Sequence, residues 1–219
     1  MASTSASATA NGAPLPRVAF LGPLGTYSHQ ATTDFFGTDI DLVPQSRISD
    51  VFTVVSTSSC TFGLVPIENS SFGPVQETVE RLRTTELCTR GMIALRIGHA
   101  LLASKEAPRE RGRMKRVYSH EQGIGQCLRY LKQHYPSAEI IPVNSTALAA
   151  TKAAADLEGL AICSLKCAEV YNLRIVDTDI QDAGTANTTR FIALSPYSVP
   201  LPACYPVSQA KVLDKHPEQ

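Results

Sequence analysis

The sequence has no tryptophan, few aromatic residues and no excess of charge of either sign. Aromatic residues make up 6% of the chain, so the stacking platforms on which single-stranded nucleic acids bind are not expected. Lysine plus arginine and aspartate plus glutamate each number 20, whereas a general nucleic-acid surface needs a basic excess. This composition argues against nucleic acid as a partner but allows a small anion to bind at one local site.

Several chemistry-bearing motifs are also missing. The sequence has no GxGxxG pattern, no GK[ST] phosphate loop and no HExxH pattern, so no nucleotide or metal cofactor is predicted. Six cysteines are scattered and no secretory signal precedes them, which is typical of reduced thiols in a cytosolic protein. Cys163 and Cys167 are four residues apart but have no companion pair with zinc spacing. No apolar run is long enough to span a membrane.

The length of 219 residues fits one large domain or two small lobes. Residues 1–16 are rich in alanine, serine and threonine and carry no charged side chain, so we expect a disordered leader. Residues 196–219 carry five prolines and no convincing helix pattern, and we expect an extended tail there.

Short apolar runs alternate with amphipathic segments between these ends, which predicts an α/β fold with mostly parallel sheets. Ligands in such folds collect at the carboxyl ends of the strands. The turn at 22–28 follows a strand, and Thr26 or Ser28 can cap a helix that runs to Phe36. The free N–H groups of such a turn suit an anion, although a plain strand-to-helix turn explains the same residues.

A second polar group follows the strand at 117–119. Ser119 and Gln122 match a capping box for a helix that extends to His134. Gln126 lies seven residues after Ser119, so both would project from one helix face, roughly 10 Å apart along the axis. Gly123 and Gly125 weaken this helix by up to about 1 kcal/mol each, which suggests that something approaches it closely.

The stretch 187–191 crowds an amide, two hydroxyls and a guanidinium ahead of the apolar run 191–194. We expect these polar groups at the entrance of a short buried strand. Arg190 can hold a carboxylate by two parallel N–H bonds, and Thr189 can donate one proton. An enzyme that removes a hydroxyl from a small carboxylate could use both. A turn before a strand is the alternative explanation.

Four motifs in order resemble prephenate dehydratase, and they span residues 17 to about 194. They are Gly22-Pro23-Leu24-Gly25-Thr26-Tyr27-Ser28, Val65-Pro66-Ile67-Glu68-Asn69-Ser70, Tyr118-Ser119-His120-Glu121-Gln122 with Gln126-Cys127, and Ile180-Gln181-Asp182 with Asn187-Thr188-Thr189-Arg190-Phe191. The residues from Gly25 to Gln30 resemble those of the fungal branch of the family. The resemblance implies two α/β lobes of the periplasmic-binding-protein type II kind, with the active site in the cleft between them. It also implies conversion of prephenate to phenylpyruvate, with loss of carbon dioxide and water and without cofactor or metal.

Carried over by position, Thr189 matches the catalytic threonine of the family. Asn69, Ser119 and Gln126 match residues that bind or orient the substrate, and Arg190 is the expected carboxylate partner. The motifs also add Ser70, Thr26 and Ser28 to the expected substrate-binding set. Glu68 is expected to position Asn69. The expected lobes comprise residues 17–98 with 184–195, and residues 99–183.

The sequence departs from the family pattern at several points. Gly98-His99 stands where the family commonly has two histidines, and Gly123-Ile124-Gly125 stands where it favours alanine or bulkier residues. Nothing resembles the ACT regulatory domain that binds phenylalanine, and no Glu-Ser-Arg-Pro motif occurs. Either the sequence is a truncated form or isoform of a longer protein, or the protein is not feedback-inhibited through that domain. We expect no phenylalanine binding.

Two other functions are consistent with these motifs. The same reaction on arogenate is one, because the sequence does not settle side-chain selectivity. A non-catalytic sensor of small carboxylates is the other, because a fold alone does not fix function. The resemblance further implies a cytoplasmic homodimer that uses no nucleic acid or membrane as a partner.

Overall fold

A computed structural model of the chain describes residues 14–182 and 187–200, which form two compact units. Among these residues, unit 1 comprises 14–22, 28–95 and 189–200, and unit 2 comprises 23–27, 96–182 and 187–188. Most of the expected leader, residues 1–13, and most of the expected tail, residues 201–219, lie outside the described residues. The prediction of two α/β units is confirmed.

Unit 1 is built on one six-stranded sheet. Its elements are β1 (Arg17–Leu21), α1 (Tyr27–Phe36), β2 (Asp41–Gln45), α2 (Ile48–Ser56), β3 (Phe62–Asn69), β4 (Gly73–Pro74), α3 (Gln76–Thr84) and β5 (Cys88–Arg96), completed by the last strand, Thr188–Ser195. The strands are ordered β2-β1-β3, then Thr188–Ser195, then β5, and β4 pairs with β3. β2, β1 and β3 run parallel, whereas Thr188–Ser195 runs antiparallel to β3.

Helix α2 shows why this unit folds as it does. Its apolar residues recur at helical spacing, and four of them are buried, namely Ile48, Val51, Phe52 and Val55. Complete burial of each such side chain contributes about 1.5–3 kcal/mol. Gly63 lets the helix approach the sheet, because a Cβ there would lie 2.9 Å from Val51 and 3.0 Å from Val55.

Unit 2 is built on a five-stranded sheet. Its elements are β6 (Ala100–Ser104), a 3-10 turn (Arg111–Arg113), β7 (Arg116–Ser119), α4 (Glu121–Gln126), α5 (Leu128–His134), β8 (Glu139–Pro142), α6 (Thr146–Ala155), β9 (Gly159–Cys163), α7 (Lys166–Val170) and β10 (Leu173–Asp177). The strands are ordered β10-β6-β9-β7-β8, and the strand Thr188–Ser195 of unit 1 is β11 in chain order. The buried alanines of α6 pack on this sheet, where small side chains allow close approach.

Four expectations about local structure are wrong. The sheets are mixed rather than mostly parallel, because β11 and β6 pair antiparallel to their neighbours. The apolar run 92–104, whose composition predicts one strand passing from the first lobe to the second, is divided between two strands that are separated at residues 97–99. The helix expected to reach His134 divides into α4 and α5 at Cys127. The polar residues 188–190 lie within β11 and not before it, since Thr189 and Arg190 pair with β3.

The turn 23–27 groups with unit 2, although the sequence assigned it to the first lobe. Its backbone carbonyls are hydrogen-bonded by unit 2 side chains. The Ser164 hydroxyl donates to the Gly25 oxygen at 2.6 Å, and the Tyr171 hydroxyl donates to the Leu24 oxygen at 2.9 Å. Gly25 has φ +87°, and a Cβ there would lie 2.9 Å from Cys167 Sγ, so this position requires glycine.

Candidate active site

In unit 1 the structure brings Asn69 and Thr189 together across two neighbouring strands. Asn69 is the last residue of β3, and Thr189 is paired directly with it in the antiparallel register of β11. Asn69 Nδ2 donates a hydrogen bond to Thr189 Oγ1 at 2.8 Å. Both residues are half-buried, and 120 positions separate them in the sequence. The sheet therefore joins two motifs that the sequence could only place in order.

The turn after β3 fixes the orientation of the Asn69 amide. Asn69 Oδ1 accepts hydrogen bonds from the backbone N–H groups of Ser71 at 2.9 Å and Phe72 at 3.2 Å. This Asx turn engages the oxygen, so Nδ2 is the end that faces Thr189. Because the Thr189 oxygen accepts this bond, the proton of the same hydroxyl remains to be donated to another group.

Arg190 points to the opposite side of the sheet. Successive side chains of a strand alternate between its faces, so Arg190 and Thr189 project in opposite directions. Arg190 is paired in register with Glu68, and its Nη1 lies 2.9 Å from Glu68 Oε2. A bulge follows between Arg190 and Phe191. The guanidinium thus has a partner that the sequence did not assign to it.

Three further residues that were expected to bind substrate, Ser70, Thr26 and Ser28, differ in their exposure and in the element that holds them. Ser70 is exposed in the turn after β3. The Thr26 hydroxyl donates to the Pro23 oxygen at 2.9 Å within the turn of unit 2. Ser28 is buried in α1, where its carbonyl accepts a hydrogen bond from the Thr32 hydroxyl at 2.7 Å.

In unit 2 Ser119 ends β7 and is fully buried. The expectation that it caps a helix is wrong, because His120 is the N-cap of α4 and Ser119 Oγ donates to the Ile162 oxygen at 2.8 Å. Gly123 packs directly over this hydroxyl, since a Cβ there would lie 2.7 Å from Ser119 Oγ. The predicted close approach at Gly123 is therefore real, and the approaching group is Ser119.

Gln126, at the end of α4, contacts His99, to which the sequence motifs gave no role. Gln126 Oε1 lies 2.5 Å from His99 Nε2, and Tyr27 Oη lies 2.8 Å from His99 Nδ1. An amide oxygen can only accept, so with this amide orientation His99 Nε2 carries the proton and the neutral ring offers Nδ1 as an acceptor. The single proton of the Tyr27 hydroxyl is then shared between Nδ1 and the Gly98 oxygen, which lies 3.0 Å from Tyr27 Oη. Two signals for His99 were available in the sequence, namely a histidine inside the apolar run 92–104 and its position where the family commonly has two histidines.

Burial shifts the pKa values of His99 and Tyr27. His99 is 4% exposed, and its desolvation lowers the pKa of the imidazole, while the hydrogen bond to Gln126 acts in the opposite direction. Burial also raises the pKa of Tyr27 well above its ordinary value. His99 is therefore a neutral imidazole and Tyr27 a neutral phenol at pH 7.

No group of three or more histidine, cysteine or acidic side chains with metal-binding geometry occurs in residues 14–182 and 187–200. Within the same ranges, no helix is long and apolar enough to cross a membrane. Cys163 and Cys167 are buried free thiols, and Cys167 Sγ donates to the Gly25 oxygen at 3.0 Å. These two cysteines pack unit 2 around the turn 23–27.

Comparison with known proteins assigns these motifs. A sequence profile described as prephenate dehydratase matches residues 18–198. The chain belongs to the prephenate dehydratase family. The match covers β1 through β11 and includes Asn69, Ser119, Gln126 and Thr189.

Individual relatives agree with this membership. The chain is 35% identical over 184 residues to a bifunctional chorismate mutase/prephenate dehydratase of Stutzerimonas stutzeri, which covers 84% of this chain and 50% of the relative. The crystal structure of prephenate dehydratase from Arthrobacter aurescens in complex with L-Phe has a TM-score of 0.73 and 29% identity, covering 82% of this chain and 60% of that one. The prephenate dehydratase of Staphylococcus aureus has a TM-score of 0.70 and 30% identity, covering 82% and 66%. The chain spans about half the length of the bifunctional relative.

Proposed function

We propose that this protein converts prephenate to phenylpyruvate, with release of carbon dioxide and water. Family membership supports this proposal. The observation that carries it is the hydrogen bond from Asn69 Nδ2 to Thr189 Oγ1, because it leaves the threonine proton to be donated. Phenylpyruvate is the keto acid of phenylalanine, so the proposed role is in phenylalanine biosynthesis.

The reaction breaks two bonds of the substrate ring. The bond between the ring and its carboxylate breaks, and its electron pair enters the ring as carbon dioxide leaves. The carbon–oxygen bond at the opposite ring position breaks, and the departing oxygen takes up one proton and becomes water. Because the product ring is aromatic, the reaction is driven without a strong base in the protein.

Thr189 is proposed as the donor to the departing hydroxyl. Free threonine is too weak an acid to supply a proton at neutral pH, so the hydroxyl acts by stabilising the developing oxygen anion and relaying a proton from solvent. Asn69 favours this direction because it occupies the threonine oxygen as a donor. Positioned proton transfer is worth about 10² to 10⁴ in rate. Substrate orientation and electrostatic preorganisation supply the remainder.

We propose that Gln126 binds the substrate, whereas Ser119, which is fully buried and donates to the Ile162 oxygen, supports the packing beneath α4. Gln126 Oε1 is engaged by His99, so both protons of its amide nitrogen remain for a carboxylate or keto oxygen. Arg190 is not included in this proposed set, because it projects from the other face of β11 and pairs with Glu68.

The test is an absorbance assay for phenylpyruvate with purified protein and prephenate. Saturable production of phenylpyruvate supports the proposal. Binding of prephenate without product would identify a sensor and overturn it. A parallel reaction with arogenate, in which an amino group replaces the keto group, decides between the two substrates by their kcat/KM values.

Further properties are proposed on the motifs alone. We propose that this 219-residue polypeptide does not bind phenylalanine, because its sequence contains no Glu-Ser-Arg-Pro motif. Calorimetry at micromolar to millimolar phenylalanine should give no saturable heat. We also propose a cytoplasmic homodimer of the fungal branch, which sedimentation, cell fractionation and a family tree would test separately.

A further inference from the structure

His99 is held between two side chains in unit 2. Its Nε2 lies 2.5 Å from Gln126 Oε1, and its Nδ1 lies 2.8 Å from Tyr27 Oη. The Tyr27 hydroxyl also donates towards the Gly98 oxygen at 3.0 Å, so its single proton is shared between that carbonyl and His99 Nδ1. Each ring nitrogen therefore lies within hydrogen-bond distance of a side chain inside the protein, and the contact from Nε2 to Gln126 is the shorter of the two.

The backbone of His99 is fixed on both sides by the segment 180–182. The Gln181 side chain accepts the His99 N–H at 2.8 Å, and the Ile180 N–H donates to the His99 oxygen at 3.1 Å. This segment therefore sets the position of the imidazole before any side-chain rotation is considered.

The same segment fixes the backbone of Gln126. The Asp182 N–H donates to the Gln126 oxygen at 2.6 Å. The Asp182 carboxylate accepts the N–H groups of Arg129 at 2.8 Å and Tyr130 at 3.2 Å, and so caps the start of α5. His99 and Gln126 are consequently tied to one short piece of chain, which keeps their side chains at hydrogen-bond distance.

We propose that His99 is a positioning residue that holds Gln126 Oε1 and thereby presents the Gln126 NH₂ group to the substrate. A glutamine amide is otherwise free to rotate by half a turn and to offer its oxygen, which would repel a carboxylate. With Nε2–H of His99 at the oxygen, the donor end faces outward. The kinetic part of this inference rests on the proposed function.

A buried histidine with only a packing role predicts a different result. Its loss would lower stability and activity whether or not Gln126 is present, so the two effects would add. A histidine that acts through Gln126 contributes nothing further once Gln126 is removed. Non-additivity within a double-mutant cycle separates the two cases.

The experiment compares His99→Leu, His99→Gln, Gln126→Ala and the combination of His99→Leu with Gln126→Ala. We expect His99→Leu and Gln126→Ala each to reduce kcat/KM for prephenate by about 10-fold, the scale of one hydrogen bond. The combined variant should be no worse than Gln126→Ala. His99→Gln keeps an N–H donor near the position of Nε2 and should recover most of the loss. Additive losses, or no recovery in His99→Gln, would overturn the proposal.

His29 provides the matched control. It is also 4% exposed, and its ring stacks on Phe20 at 5.6 Å in unit 1. Replacing His29 with leucine removes a buried imidazole from helix α1 of unit 1. Its effect should add to that of Gln126→Ala, and thermal unfolding of every variant shows which ones remain folded.

Nitrogen NMR tests the geometry independently of any activity. We expect the neutral ring of His99 to carry its proton on Nε2, and the Gln126 amide signals to shift in His99→Leu but not in His99→Gln. A proton on Nδ1 would overturn the positioning role even if prephenate is turned over. If the tautomer is as expected and wild type makes no phenylpyruvate, the proposed function fails and the arrangement of His99 and Gln126 stands.

Discussion

Asn69→Asp should abolish most turnover without disturbing the fold, because it reverses one hydrogen bond. The oxygen that accepts the Ser71 and Phe72 N–H groups is retained, so the Asx turn persists. The nitrogen that now donates to Thr189 at 2.8 Å becomes a carboxylate oxygen. The Thr189 hydroxyl must then donate to that carboxylate, and its proton is no longer directed to the substrate.

The magnitude follows from the bond that forms. A hydrogen bond to a charged group contributes about 1.5–3 kcal/mol, and the reaction would have to break it before the Thr189 proton could move. At 1.36 kcal/mol for each factor of ten, this alone slows turnover by about 10- to 150-fold. Loss of the positioned donor and repulsion of the substrate carboxylates act in the same direction, so we expect kcat to fall at least about 10²-fold.

The assay is steady-state production of phenylpyruvate, with urea unfolding as the measure of stability. Glu68→Gln is the matched control, because it removes a carboxylate from the adjacent residue, which faces the other side of the sheet. Its exposed ion pair with Arg190 is worth about 0.2–1 kcal/mol, and kcat should stay within about threefold of wild type. Folded Asn69→Asp protein with a kcat within threefold of wild type would refute the reasoning.

Three other predictions concern stability and Arg190. Gly123→Ala should lower the free energy of unfolding in a urea titration by about 1–3 kcal/mol, because its Cβ would lie 2.7 Å from Ser119 Oγ. Gly125→Ala should raise the free energy of unfolding by about 0.5–1 kcal/mol in the same titration, because no atom lies within 4 Å of its Cβ and alanine favours the helix. The Arg116 guanidinium lowers the pKa of Asp156 to about 2, so the ionised Asp156 carboxylate stabilises the fold above about pH 4, and this stabilisation is lost as the pH falls towards 2. Asp156→Asn should remove this part of the pH dependence of the free energy of unfolding. Arg190→Gln should change KM for prephenate less than threefold, and a tenfold increase would place the guanidinium on the substrate.

The elements that depend on local periodicity were predictable from the sequence. The buried residues of α2 follow a spacing of three and four, which one amphipathic helix explains by itself. The strand Arg17–Leu21, which precedes the turn at 22–28, was predicted from its short apolar run. These features require no knowledge of distant residues.

The errors arose where a distant residue decides the local structure. The polar start of β11 is extended because β3 pairs with it, although turn chemistry favours a different conformation there. Ser119 is not a cap because the carbonyl of Ile162, on β9, accepts its proton. Partners 43 and 120 positions away cannot be read from a local pattern.

Most residues of the candidate site were predicted from the sequence, but the contacts between them were not. The motifs selected Asn69 and Thr189, and the sheet register shows why the two side chains meet. They also selected Gln126 but not His99, because a single histidine in an apolar run is more often a satisfied core residue. Arg190 was expected on the substrate side, and the alternation of the strand places it on the other face.

The most direct test of the central claim is the turnover of prephenate by Thr189→Val beside Thr189→Ser. Valine has the shape of threonine without the hydroxyl, whereas serine keeps the hydroxyl. The proposed role of the Thr189 proton predicts that kcat falls at least about 10²-fold in Thr189→Val and less than about tenfold in Thr189→Ser, with both variants folded. A folded Thr189→Val protein that makes phenylpyruvate at a near-normal rate would contradict it.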